Sequence, residues 1–174
     1  LRGKEMLNNK IFNIISILAL VFIGCEKETT SNTEPVNEIT GRSSWKIIQQ
    51  EILDKSCAGC HSVGTSFGSQ SRLILTADVA YENLINREPH NQGAKDDGLE
   101  LVGTEGLASL YKSYLWEKIN APDKDHFYAD HPQYGEIMPL GMDFLTNGQL
   151  EFIRQWIVAG APETGAVADS SLLQ

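Results

Sequence analysis

The sequence predicts an all-α domain, and three observations predict it. Apolar residues recur at helical spacings of three and four in four separate stretches. Capping signals mark helix ends near the start and close of the folded part, and no period-two run long enough for a half-buried strand is present. A chain of 174 residues, 41% of them hydrophobic, suffices for one domain with a core and is too short for two of ordinary size. The net charge of −9 argues against nucleic-acid binding, which needs a basic footprint.

Met6 opens a short basic region ending at Lys10, and an apolar run from Ile11 to Ile23 follows. The run is 13 residues long and interrupted by Asn13 and Ser16, whereas a membrane-spanning helix needs about 20 apolar residues. It reads as a secretory signal peptide over residues 1–24, with residues 1–5 upstream of the start at Met6. Phe22-Ile23-Gly24-Cys25 resembles the lipobox of bacterial lipoproteins, in which the leader is cut before a cysteine whose sulfur carries a diacylglycerol. Removing 24 of 174 residues leaves 150, with 11 Lys+Arg against 22 Asp+Glu and a net charge of −11. Acyl chains contribute about 0.8 kcal/mol per buried methylene and would hold the protein at a membrane. The expected location is the cell envelope, on the periplasmic side of the inner or outer membrane or at the cell surface. Glu26 to Thr40 is polar and acidic, with only Val36 and Ile39 as large apolar residues. Such a segment buries too little surface to offset its ordering entropy. Residues 25–43 are therefore expected to be a lipid-bearing cysteine and flexible tether, and residues 44–174 the folded domain.

In the folded part, Ser44 can cap a helix running to about Ser56, with Trp45, Ile48 and Ile52 on one face. Thr76 to Asn86 reads as a second helix, carrying Val79, Leu84 and Ile85, and Leu107 to Ile119 as another, carrying Leu110, Tyr114, Leu115 and Trp116. Thr146 and Gln149 form a capping box for a closing helix. Its apolar stripe is Leu150, Ile153, Trp156 and Ile157, and Gly160 with Pro162 stops it. Asn86 to Gly106 and Asn120 to Ile137 read as long polar loops, of a length uncommon without a function. Asp123, Asp125 and Asp130 lack the glycine and distal glutamate of an EF-hand loop and read as a solvated acidic surface.

Cys57-Ala58-Gly59-Cys60-His61 is the most informative motif. Thiols three residues apart lie on one side of a helical turn, where both can add to the vinyl groups of one porphyrin. His61 is then placed to bring an imidazole nitrogen to iron as the proximal ligand. A dithiol redox site would want a βαβ context, which is missing. A zinc site recruiting His126 and His131 would need a gap of 65 residues after Cys60, far beyond the roughly 12–15 of a zinc finger. A disulfide across two residues is sterically poor. The expected cofactor is one covalent haem c held by Cys57 and Cys60, and with Cys25 lipidated no free thiol remains. For the opposite face of the iron, Met138 offers a soft thioether that raises the potential, and Pro139 stiffens its loop. Met142 is the close competitor, followed by a histidine or an open position.

A helix into C-x-x-C-H, intermediate helices, a methionine loop and a closing helix together resemble bacterial monohaem cytochromes c of class I type. The ending Met138-Pro139, Leu145-Thr146, Ile153, Trp156-Ile157, Gly160-Ala161-Pro162 is similar to cytochrome c-like domains of planctomycetes and Bacteroidetes, as is Leu73 to Ile85 with its Tyr81-Glu82-Asn83-Leu84. The resemblance spans Ser44 to Pro162. It implies a class I fold wrapped around one haem, His61 and Met138 as axial ligands, and Trp156 packing near the haem. Two features depart from it. No proline lies in Ser62 to Thr76, so some other carbonyl must orient His61. The 77 residues from His61 to Met138 also exceed the smallest members. The expected function is membrane-anchored transfer of single electrons between respiratory-type partners, not enzymatic catalysis. An acidic surface suits partners with basic docking patches. Two further functions compete with it. One is that of a peroxidase-like or gas-binding haem protein using His126 or His131. The other is that of a cytochrome subunit of a larger redox complex, with Trp116 and Tyr128 as candidate anchors.

Overall fold

The structure, a computed structural model, describes residues 41–174. The expected signal peptide, Cys25 and the tether as far as residue 40 lie outside the described residues. In chain order the helices are α1 (Ser44–Ile47), α2 (Asp54–Ser56), α3 (Ser66–Ser71), α4 (Ala80–Leu84), α5 (Gln92–Asp96), α6 (Leu107–Leu110), α7 (Tyr114–Ile119), α8 (Lys124–Asp130) and α9 (Asn147–Val158). Among the described residues there is no strand, only isolated parallel bridges joining Ile85 to Val102 and Glu100 to Ser113. The fold is all-α, and none of these helices is long and apolar enough to cross a membrane.

The helix expected from Ser44 to about Ser56 is present, but α1 and α2 are joined by a π-helical segment, Ile48–Leu53. There the N–H of Asp54 reaches back five residues to the Gln49 carbonyl, and that of Ala58 to the Leu53 carbonyl. π-Turns of this kind often accompany functional sites. The cap is Ser43 rather than Ser44: its Oγ accepts the Lys46 N–H at 3.2 Å. Ser44 is fully buried because its Oγ accepts the N–H groups of Val167 and Ala168 at 2.8 and 3.0 Å. The C-terminal tail is thereby fastened along the first helix. Arg42, within the expected tether, pairs with Glu51 at 3.0 Å.

α9 matches its sequence signals. Thr146 and Gln149 make both bonds of the capping box, at 3.2 and 2.9 Å. Leu150, Phe152, Ile153, Trp156 and Ile157 are buried, and Gly160 leaves the helix at φ +90°. Trp156 stacks on Trp45 with centroids 5.4 Å apart, and Trp45 meets Tyr81 edge-on at 5.1 Å. This trio anchors the larger apolar cluster.

The middle of the chain differs from expectation. The helix read over Thr76 to Asn86 contracts to α4. The one read over Leu107 to Ile119 splits into α6 and α7, because the Lys112 carbonyl and the Tyr114 N–H leave the helix to pair with the Glu100 N–H and carbonyl, at 3.0 and 2.7 Å. The buried Ser113 hydroxyl between them donates to the Ser109 carbonyl at 2.6 Å and accepts the Gly103 N–H at 3.1 Å. The two presumed polar loops contain α5, α8 and the 3₁₀ turns Ala121–Asp123 and Pro132–Tyr134. They fold over a second apolar cluster made of Ala94, Ala121, Phe127, Tyr134 and Ile137.

Candidate functional site

The chain leaves α2 directly into Cys57, and the N–H groups of Cys60 and His61 both donate to the Cys57 carbonyl, at 3.1 and 2.9 Å. A single tight turn therefore holds the motif. α3 follows, capped by Thr65, whose Oγ1 accepts the Gly68 N–H at 3.0 Å. A Cβ at Gly68 would stand 2.4 Å from the Ser62 carbonyl oxygen, so only glycine lets α3 approach the motif this closely. At the end of α3, Arg72 is left-handed (φ 52°) and turns the chain back.

That reversal brings Leu73 and Leu75 alongside His61. The Leu75 N–H donates to the His61 carbonyl at 2.8 Å. The His61 Nδ1 lies 3.3 Å from the Leu73 carbonyl and 3.2 Å from Ser71 Oγ. Ser71 spends its own proton on the Phe67 carbonyl at 2.7 Å, so Nδ1 is the donor to both acceptors. The tautomer with the proton on Nδ1 leaves a lone pair on Nε2. Burial lowers the His61 pKa, the Leu73 contact opposes this, and the charge of Lys118 lowers it further. The neutral imidazole is favoured. Leu73 thus supplies the orienting carbonyl that the missing proline left open.

Met138 is fixed from a different direction. Its N–H donates to the Lys118 carbonyl at 2.6 Å, and Ile137 before it is buried in the second cluster, with its N–H on Tyr128 Oη at 3.2 Å. The Met138–Pro139 peptide is cis. Met138 is half-buried, whereas Met142 is 51% exposed. The Lys118 side chain turns back under this loop. Its Nζ donates to the carbonyls of Tyr134, at 3.0 Å, and Glu136, and stands 5.4 Å from the Phe127 ring centroid. Burial pushes its pKa down to about 8.

Cys57, Cys60, His61, Met138 and Met142 all line one cavity of about 410 Å³, walled by Leu75, Leu84, Leu115 and Ile119. Small-molecule sites typically enclose about 300–1,000 Å³ and are mostly apolar. No known protein family, curated protein or solved structure matches the chain.

Trp156 does not line the cavity: its faces are taken by the core, and its Nε1–H donates to the Pro162 carbonyl at 2.9 Å. His126 and His131 do not line it either. His126 sits between Asp123 and Asp130, at 3.6 and 2.9 Å, and His131 stacks on Tyr134 at 4.4 Å. Among the described residues, no group of three or more His, Cys, Asp or Glu side chains is close enough to hold a metal ion. His90, by contrast, is a lining residue. Burial, and then the charge of Cys60, pushes the Cys57 thiol up to about 11, opposite to the depression that activates dithiol redox sites. Sequence reasoning missed Lys118 and Tyr114. Both lie on one face of α7, where a lysine reads as a solvent-facing residue.

Proposed function

We propose that the chain binds one haem covalently and transfers single electrons. The observation that carries this reading is that the C-x-x-C-H motif and Met138, 77 residues apart between His61 and the methionine, line one apolar cavity. The donor set fits the group: two thiols, one neutral imidazole with Nδ1 already engaged, and a thioether. Attachment is an addition at each cysteine. The S–H adds across a vinyl C=C, sulfur to the carbon next to the ring and hydrogen to the other, with nothing leaving. Bound haem supplies a one-electron ferric/ferrous couple.

The chain's own residues do the rest. Leu73 and Ser71 hold the imidazole of His61 in one tautomer, so little rearranges between oxidation states. The Lys118 carbonyl pins the Met138 loop, and the leucine walls would shield a bound haem from water, which would favour its reduced form. If His61 and Met138 both held a bound haem iron, no position would be left on it for a substrate, which is the arrangement of a carrier. Met138 is favoured over Met142 because its backbone is pinned and its side chain is half-buried. The lipid at Cys25 would keep such a carrier near membrane partners at high effective concentration.

The test is the visible spectrum of the protein matured in a cell envelope competent for haem attachment. A pyridine haemochrome of the thioether type and a methionine-to-iron charge-transfer band in the oxidised protein are expected. Met138→Ala should abolish that band and lower the potential by a large margin, and Met142→Ala should do neither. Rapid carbon monoxide binding by the reduced protein would overturn the carrier reading in favour of an open-site haem protein.

A further inference from the structure

We propose that Lys118 is the anchor for a haem propionate, an inference that rests on the haem reading above. Lys118 is the one Lys or Arg among the residues lining the cavity. Its ammonium uses two of three N–H donors on the carbonyls of Tyr134 and Glu136. Among the described residues it has no carboxylate within ion-pair distance. The Glu136 carboxylate accepts the Tyr128 hydroxyl at 2.9 Å and acts on Lys118 only as a charge beyond ion-pair distance that partly opposes the effect of burial. A part-buried cation with hydrogen bonds but no paired anion is held at a cost that a charged ligand relieves.

The chemistry of the porphyrin says which part of the ligand that is. Its vinyl groups occupy one half of the ring and its two carboxylates the other. Thioethers at Cys57 and Cys60 would hold the vinyl half against the motif turn and leave the acids to lining supplied by other elements. Lys118 comes from α7, beside Tyr134 and Glu136, which also line the cavity. A carboxylate there would accept a charge-assisted hydrogen bond from the third N–H. Lys118 then serves the cofactor twice, holding the Met138 loop through its carbonyl and the acid through its ammonium.

The experiment uses the matured holoprotein as wild type, Lys118→Gln and Lys118→Arg, with His90→Gln as the competing polar lining residue. Resonance Raman reads the propionate bending band separately from the spin- and ligation-state bands. The expected result is a shifted propionate band and a lower potential in Lys118→Gln, both largely restored in Lys118→Arg, with ligation bands unchanged. An unmoved band in Lys118→Gln, or one that moves only in His90→Gln, overturns the inference and leaves the haem reading standing. Absence of covalent haem in wild type overturns both. If Lys118→Gln fails to mature, the wild-type holoprotein crystal structure decides. A propionate oxygen about 3 Å from Nζ supports the inference, and one held elsewhere ends it.

Discussion

His61 illustrates how much a residue's role depends on chain that comes after it. Its ring is oriented by Ser71 and Leu73, ten and twelve residues downstream, and only because Arg72 turns the chain back between them. The need for such a carbonyl was legible in the sequence from the missing proline. Which residue met it was not, since a left-handed arginine carries no signal of its own. The opposite holds for Trp156. Its helical register and burial were plain from the apolar stripe, but its partners, Trp45 and the Pro162 carbonyl, come from tertiary packing. Trp156→Phe removes that hydrogen bond and part of a fully buried ring. It should cost about 1–3 kcal/mol in urea unfolding, with Phe filling too little of the site to compensate.

At the scale of elements, α9 was readable because it carries its own boundaries and a 12-residue stripe. Thr146→Ala should lower stability by about 1 kcal/mol, with an unchanged denaturant slope, since the cap is lost and the core is not. The same helix carries a pH-dependent pair. A hydrogen bond from Arg154, joined by one from Gln155 and the Arg154 charge, holds the Glu151 carboxyl down to about 2 against the opposing effect of burial. A carboxyl lowered on folding stabilises above its ordinary value near 4.5, and that stabilisation is lost as pH falls toward 2. The pair is 35–37% exposed, so it is worth only about 0.3–0.5 kcal/mol. Thermal melts of Glu151→Gln should fall slightly below wild type at pH 7 and converge with it near pH 2. α4 to α8 were poorly legible for a physical reason. Each spans four to seven residues, too short for helical propensity to stabilise alone. What fixes them is the burial of single anchors such as Phe127 and Tyr134, which no periodic pattern announces.

For the molecule as a whole, the cavity is walled from both apolar clusters: Leu75, Leu84 and Ile119 belong to the first, and Tyr134 to the second. The segments taken from sequence as acidic loops are therefore the supports of the methionine side. Phe127 is 2% exposed at the centre of that second cluster. Phe127→Ala should cost about 3–5 kcal/mol of the stability there. Native-state hydrogen exchange should quicken at the Met138 amide, which depends on the Lys118 carbonyl, while amides in α9 are less affected. Uniform quickening across both regions would instead mean that the two clusters unfold as a unit.

The π-helical turns between Ile48 and Leu53 have a consequence for chain length rather than for any side chain. An α-helix advances about 100° per residue, so one residue more or fewer between these turns and Cys57 would swing both thiols around the axis by more than a quarter of a turn. Trp45, upstream, keeps its seat against Trp156. The exposed Gln50 should thus tolerate replacement by alanine with, on the haem reading, normal attachment. Deleting the exposed Lys55 of α2, beyond the π-turns that can take up a missing residue, should leave the helical circular dichroism nearly intact while, on the haem reading, the yield of covalent haem collapses. The rod before the motif behaves as a gauge whose length in residues sets the angle at which the two sulfurs are presented.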